Sequence, residues 1–469
     1  MAGASAVDRA VERRRAWLIG LALLCAYGFF FYRGGNWNVE ARNAQIVSLA
    51  EDQTLAIDPY ERWTGDKAYY QGHYYSDKLI GPSLVAVPFY LASNRLLSAA
   101  GVRPQLALML ALRIANVFAN AVPSALMGAL LYLFLAELGL AAKLRVWLAF
   151  ACGFGTLALP YSTALFGHQF GAVCAFGCFL LLWRQREVWS ARRAVAAGLL
   201  AGLGAISDFT TMLIACFLGL YAIWRSRGQP GDAPGMATVV TRVLLFALLA
   251  AVPVSLQLSA NWSSFGSPFV FPHIHHVQPS FRARHAAGLL GVHLPQLYPL
   301  YQLTVGSWRG LFYASPVLLL ALPGFCLLGR GRRAEAALIA VSWLGVLLMN
   351  AGYENWTAGS AYGPRYQIPA IPFLVLAAAP AAQRWPFLFK VLATISITFT
   401  VIVTAQSPFV PETLQNPLGE ALAAFSVGNL LNGNLGKSIG LPGIFSLLPL
   451  AAVEAAFLYA LSGMSAREQ

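Results

Sequence analysis

Glu40, Arg42, Asp66, His73, Tyr75, Asp77 and Lys78 all fall in one polar stretch, residues 36–82, of a chain that is otherwise mostly Leu, Ala, Val, Phe and Gly. The stretch holds seven of the nineteen acidic residues, with four bases and seven aromatics mixed among them. A carboxylate can take the proton of an attacking hydroxyl as general base. Lys and Arg are the usual ligands of phosphate, and Tyr and Trp offer large faces with a polar edge. Proton abstraction beside an anion grip is therefore the chemistry these residue types can do.

Two strings within the stretch carry most of that content. NVEARNA, residues 38–44, places Glu40 a few residues past the first apolar run. There it can serve as a base, or as a helix-start Glu paired with Arg42. GHYYSDKLIGP, residues 72–82, fixes turns with Gly72 and with Gly81–Pro82 and packs His73, Asp77 and Lys78 between tyrosines. Farther along, Arg113, His168, Asp208, Arg309, Glu354 and Arg365 stand at the ends of apolar runs. The string FPHIHH supplies His273, His275 and His276, but no acidic residue lies near them in sequence. Such spacing is weak for a metal site, and these histidines read as structural.

The elements that must hold these residues are membrane helices. Hydrophobic residues are 58% of the chain and charged ones 11%, against about 45–50% and about 25% in ordinary globular domains. Crossing a bilayer takes roughly 20 apolar residues per helix, and the sequence offers twelve such runs. They are 15–33, 110–138, 144–161, 167–184, 194–208, 209–224, 241–260, 310–328, 335–351, 367–382, 386–405 and 441–462. Alternating ten-residue strands of a membrane barrel are absent. The expected fold is thus an all-α polytopic membrane protein of about twelve transmembrane helices, one domain over residues 1–469.

Short basic connections, such as Arg13–Arg15, Lys143 with Arg145, and Arg330 with Arg332 and Arg333, go inside by the positive-inside rule. Both termini are then cytoplasmic. Loops 34–109, 262–309, 352–366 and 406–440 go outside. Residues 79–100, interrupted by Pro82, Pro88 and Arg95, read as a helix lying in the outer interface, because a crossing there would invert every later basic loop. The net charge of +13 reports this orientation, not a nucleic-acid partner. The six cysteines fall in apolar runs without CxxC spacing, so neither a disulfide framework nor a zinc site is expected.

This pattern resembles the GT-C superfamily of membrane glycosyltransferases, especially the protein O-mannosyltransferase and aminoarabinose transferase type. That family has Asp-Glu-x-Arg-Tyr after its first span. Here Glu40 and Arg42 are in register, while Val39 and Asn43 replace the Asp and Tyr. Residues 75–78 look like the family's aromatic-Glu-Lys turn, and Arg113 with residues 123–126 looks like the start of its second span. Strings at 155–168, 307–324 and 361–374 are similar to a poorly characterised bacterial branch.

The resemblance implies an inverting transfer of a sugar from a polyprenyl-phosphate donor to a hydroxyl of a glycan, lipid or protein, at the outer face of a bacterial cytoplasmic membrane. Some members use a divalent metal and some do not. It implies a catalytic carboxylate, Glu40 first with Asp66 and Asp77 as the alternatives, and substrate contacts from Arg42, His73, Tyr75, Lys78, Arg113, His168 and Arg365.

Overall fold

A computed structural model describes residues 6–32, 34–186, 188–228, 234–288 and 290–466. In chain order, α1 (Ala6–Phe29) leads through a two-residue strand β1 (Phe30–Phe31) to α2 (Trp37–Val47). A hairpin follows, β2 (Lys67–Tyr70) and β3 (His73–Ser76), and then α3 (Gly81–Ala99). The helical bundle is built by α4 (Pro104–Asn116), α5 (Val122–Glu137), α6 (Ala142–Phe154), α7 (Ala158–Ser162), α8 (Gly167–Arg184), α9 (Ala191–Ala205), α10 (Phe209–Ser226) and α11 (Met236–Phe265). Three short helices come next, α12 (Pro279–Ala286), α13 (Leu297–Thr304) and α14 (Leu311–Ala314). The chain ends with α15 (Ala321–Gly329), α16 (Arg333–Ala351), α17 (Ile371–Arg384), α18 (Pro386–Gln406), α19 (Pro417–Ser426), strand β4 (Gly433–Asn434), α20 (Leu435–Ser438) and α21 (Leu448–Ala466).

Among the described residues, six helices are long and apolar enough to cross a membrane: Pro104–Glu137, Phe209–Ser226, Met236–Phe265, Arg333–Ala351, Pro386–Gln406 and Gly443–Met464. Each of the twelve expected runs contains a helical segment, yet the other six fall short in length or in mean hydropathy or carry too much charge. The reason is local. Pro316 and Pro369 leave the starts of two runs as 3-10 turns, and α1 begins among Glu12 and Arg13–Arg15.

Close approach between helices uses glycine where bulk would not fit. A Cβ on Gly202 would fall 2.1 Å from the Ala250 carbonyl, and one on Gly198 would fall 2.4 Å from that of Phe246. Small residues at such contacts are how membrane helices come together. The rest of α11 stays exposed, with Leu244, Leu248, Val252 and Leu256 facing outward, as a lipid-facing surface requires.

Bases and acids meet at one end of the bundle. Arg145 donates to Glu12 at 2.7 Å, Trp183 donates to Glu137 at 2.8 Å, and Arg225 pairs with Glu335. The four long loops meet one another at another face. Trp308 Nε1 donates to the Glu412 carbonyl at 2.9 Å, Asn36 Nδ2 to that of Ser360 at 3.4 Å, and Val277 N–H to that of Lys67 at 3.0 Å.

Candidate functional site

Asn36 starts α2. Its side-chain oxygen accepts from the N–H groups of Asn38 and Val39, the capping role that Asn favours. The helix then sends Glu40 and Arg42 in different directions. Glu40 accepts from Asn43 Nδ2 at 3.1 Å and lies near Gly34 and Gly35; burial raises its pKa. It makes no hydrogen bond to Arg42. Arg42, 4% exposed, turns inward toward the starts of α8 and α10. Its Nε and Nη1 have no hydrogen-bond partner. Burial draws its pKa down to about 10, against the pull of Asp208 and Asp77.

The hairpin turns on Gln71 and Gly72, both at positive φ (48° and 92°). That is the handedness a two-residue hairpin loop needs. Its register pairs Lys67 with Ser76 and Tyr70 with His73, so Asp66 and Asp77 come together at the open end. Thr64 fixes the approach: its hydroxyl donates to the Trp37 carbonyl at 2.8 Å and accepts from Asp66 N–H at 2.9 Å. Lys78 then places Nζ between the carboxylates, 2.7 Å from Asp66 Oδ2 and 2.9 Å from Asp77 Oδ1. Burial works against the ammonium, but Asp66 and Asp77 outweigh it and raise its pKa. Behind the hairpin, Ile80 N–H donates to Gln257 at 2.9 Å and Gly81 N–H to the Ile206 carbonyl at 3.0 Å. These contacts anchor the turn on α9 and α11.

Three further residues reach the same place. His168, at the start of α8, sets Nδ1 2.8 Å from Asp208 Oδ1. Asp208 caps α10 through Thr210 and Thr211. Arg365, 8% exposed, lies beside the rings of Phe166 and Tyr366, and its Nε has no partner. Arg42, Lys78, Arg365 and His168 thus converge with Asp66, Asp77 and Asp208, from loops and helix starts more than three hundred residues apart.

The other expected site residues lie elsewhere. His73 is on the exposed turn and pairs with Asp58 at 2.7 Å. Tyr75 packs edge-on against Phe265 in the hairpin. Arg113 donates to the Gly28 carbonyl at 2.6 Å and covers Phe31, closing the end of α1.

Four further residues complete the surroundings: Arg309, which the sequence marked at the end of an apolar run, and three that it did not single out or read as structural. His276 is 1% exposed and its Nε2 lies 3.8 Å from Asp77 Oδ2, because an Ala68–His276 bridge lays this segment along the hairpin edge. The acids missing beside FPHIHH in sequence are thus supplied in space. His285 accepts from the Tyr353 hydroxyl at 2.6 Å through Nε2 while Nδ1 donates to the Phe281 carbonyl. Arg309, fully buried, donates to the carbonyls of Thr357, Trp308 and Gly359. The ring of Tyr366 meets that of His168 edge-on. Only pairings across long sequence distances mark His276, His285 and Tyr366, so no local pattern could have found them.

Asp66, Asp77 and His276 offer ligand atoms within 4.8 Å of one another, a donor set that suits a divalent cation. The Lys78 ammonium already stands between the two carboxylates. As arranged, the residues hold that internal cation rather than fit a metal.

The chain matches no protein-family model and no curated protein. Solved structures do resemble it. One is the archaeal oligosaccharyltransferase AglB from Archaeoglobus fulgidus in complex with an inhibitory peptide and a dolichol-phosphate. It is similar over 93% of this chain and 58% of its own, at 12% identity and TM-score 0.47. Another is the Archaeoglobus fulgidus oligosaccharyltransferase tethered with an acceptor peptide containing the NVT sequon via a disulfide bond. It is similar over 92% of this chain and 56% of its own, again at 12% identity and TM-score 0.47. The chain therefore spans less than two thirds of these proteins, and neither likeness assigns an activity to it.

Proposed function

We propose that this chain is a polyprenyl-phosphate-sugar-dependent glycosyltransferase of GT-C type, acting at the outer face of a bacterial cytoplasmic membrane. The observation that carries the reading is the pair of buried guanidiniums, Arg42 with Nε and Nη1 and Arg365 with Nε unsatisfied among the described residues, set beside an acid pair. A buried charged donor left unpaired is costly, and a ligand phosphate between the two would remove that cost. Guanidinium geometry matches phosphate oxygens two at a time.

In this reading Arg42 and Arg365 hold the donor's phosphate. Asp66 is the general base. Its Oδ2 is held by Lys78, its Oδ1 makes no hydrogen bond among the described residues, and its side chain is 20% exposed whereas that of Asp77 is fully buried. The acceptor oxygen attacks the anomeric carbon from the face opposite the phosphate, Asp66 takes the acceptor's proton, and the configuration inverts. Cations that meet charge as it develops on the leaving group are the dominant source of such catalysis. Loop 34–109 with α3 at the outer interface would present the acceptor, and the lipid of the donor would stay in the bilayer.

Purified protein, given a radiolabelled polyprenyl-phosphate sugar and a membrane extract as acceptor, should move label to an acceptor. Arg365→Gln and Arg42→Gln should each reduce that transfer by more than tenfold. Label that crosses liposomes unchanged would overturn the reading in favour of transport.

A further inference from the structure

The reaction as drawn leaves one buried acid–base pair unused. His168 is 5% exposed, and its Nδ1 lies 2.8 Å from Asp208 Oδ1. The other oxygen of Asp208 accepts from Thr210, from its N–H at 2.9 Å and from its hydroxyl. Oδ1 faces Nδ1 as a close ion-pair contact without an aligned hydrogen bond, and that contact favours a proton on Nδ1, the way an orienting carboxylate sets a histidine's tautomer. Nε2 makes no hydrogen bond among the described residues, so it is the ring atom left for a ligand.

The charged and titratable groups that face the ring come from every element packed there. They are Asp208 before α10, Arg42 on α2, and Arg365 and Tyr366 before α17. Burial of the ring, with the two guanidiniums beside it, outweighs the pull of the single carboxylate and disfavours a second proton on the imidazole. A phosphate seated between Arg42 and Arg365 adds negative charge within reach of Nε2 and reverses that balance.

We propose that His168 takes up a proton when a phosphate anion binds between Arg42 and Arg365, and that its Nε2–H then donates to the phosphate of the departing lipid. The proposal rests on the transfer reading and supplies a step that reading lacks. As the acceptor oxygen bonds to the anomeric carbon, the bond from that carbon to the phosphate oxygen breaks, and its electron pair stays on the phosphate. The acceptor's proton passes to Asp66. The donor phosphate, a diester with one charge, leaves as a monoester that gains a second charge with a pKa near ~6. Nε2–H is the donor that meets this second charge, and transfer of its proton returns His168 to the neutral state. Asp208 is a positioning residue, holding the ring and stabilising its charged form.

Proton uptake is measured by titrating the full chain in detergent with farnesyl methyl phosphate, a diester with no titrating proton near neutrality. Calorimetry in buffers of low and high ionisation enthalpy then counts the protons. Wild type should bind with uptake of a substantial fraction of one proton, and its affinity should weaken several-fold from mildly acidic to mildly alkaline solution. His168→Gln should bind without uptake and without pH dependence, Asp208→Asn should lose most of the uptake, and His276→Gln should keep it.

Binding by wild type without proton uptake, or uptake unchanged in His168→Gln, overturns the role of His168 and leaves the lipid-phosphate reading standing. The wild-type measurement alone decides the matter if His168→Gln does not fold. No binding of the diester by folded wild type, or binding of sulfate as tight as that of the diester, overturns the lipid-phosphate reading itself.

Discussion

Lys78 Nζ lies 2.7 Å from Oδ2 of Asp66, so the residue two positions past β3 is tied to the residue just before β2. With Asp77 on its other side, this one ammonium closes the hairpin at its open end and compensates two acids. Lys78→Met would leave the fully buried Asp77 facing Asp66 with no cation between them. Removing one partner of a buried ion pair costs about 3–5 kcal/mol, here concentrated in the hairpin. The expected result is a lower melting temperature and faster proteolysis within residues 56–80, with part of the loss restored by adding Asp77→Asn. The sign with pH follows from the raised pKa of Lys78. Its contribution is complete below the unfolded value of about 10.4 and fades as pH rises through the folded value.

Asp66 and Glu40 separate cleanly by placement, and activity should separate them too. Asp66 stands in the cluster with Lys78 and beside the charges of Arg42 and Arg365. Glu40 bonds Asn43 instead. A general base contributes about 10²–10⁴ in rate, so Asp66→Asn should reduce transfer by that order, with a smaller fall in melting temperature than Lys78→Met because Asp77 still pairs the ammonium. Glu40→Gln should stay within about tenfold of wild type, because the glutamine can still hydrogen-bond Asn43. Equal losses in both variants would return the choice of base to Glu40.

How much of this was legible in sequence depends on the range of the interaction. Apolar runs mark helices locally, and each of the twelve runs does contain one. Where a run starts with proline, as at Pro316 and Pro369, composition alone cannot tell a full crossing from a shorter broken one. Residues 72–82 were readable as a turn leading to a helix because glycine and proline fix backbone locally. Lys78 and Arg365 stood out as bases beside an apolar run. Arg113 stood out for the same reason and yet caps α1, since a carbonyl at a helix end attracts a guanidinium as well as a phosphate does. His276 and Asp208 needed the fold. Their partners lie 199 residues away at Asp77 and 40 away at His168, and no periodicity connects them.

The histidines of the second long loop make its docking sensitive to acid. Burial lowers the pKa of His276, against the pull of Asp77 and Asp66, and burial lowers that of His285 as well. A group held neutral in the fold but free to protonate when released costs stability as pH falls from its unfolded value, about 6.5, through the lowered folded value. Above that range the contribution is complete. Protection of residues 272–288, taken from hydrogen exchange corrected for the intrinsic rate at each pH, should therefore fall on acidification below about pH 6.5, while that of the buried α17 stays constant. His285→Gln should flatten part of the dependence. Protection that falls on the alkaline side instead would contradict this account.

Gly167 gives a way to move Arg42 without touching its charge. A Cβ on Gly167 would fall 2.1 Å from the Ser207 carbonyl and 2.6 Å from Arg42 Nη2. The carbonyl belongs to the turn that leads into Asp208, so alanine must push apart the start of α8 and the start of α10. His168 and Asp208 sit on those two elements at 2.8 Å. Gly167→Ala should therefore weaken phosphate binding and transfer together, by more than tenfold, while the helical bundle below keeps its cysteines Cys174 and Cys178 buried. Labelling those thiols in detergent checks the bundle, and titration with farnesyl methyl phosphate checks the site. Gly177→Ala is the matched control. It lies on the same helix, and its nearest contact would be the end of the flexible Leu200 side chain at 3.0 Å. It should bind as wild type does; if both variants lose binding equally, the effect belongs to α8 as a whole and not to the position of Arg42.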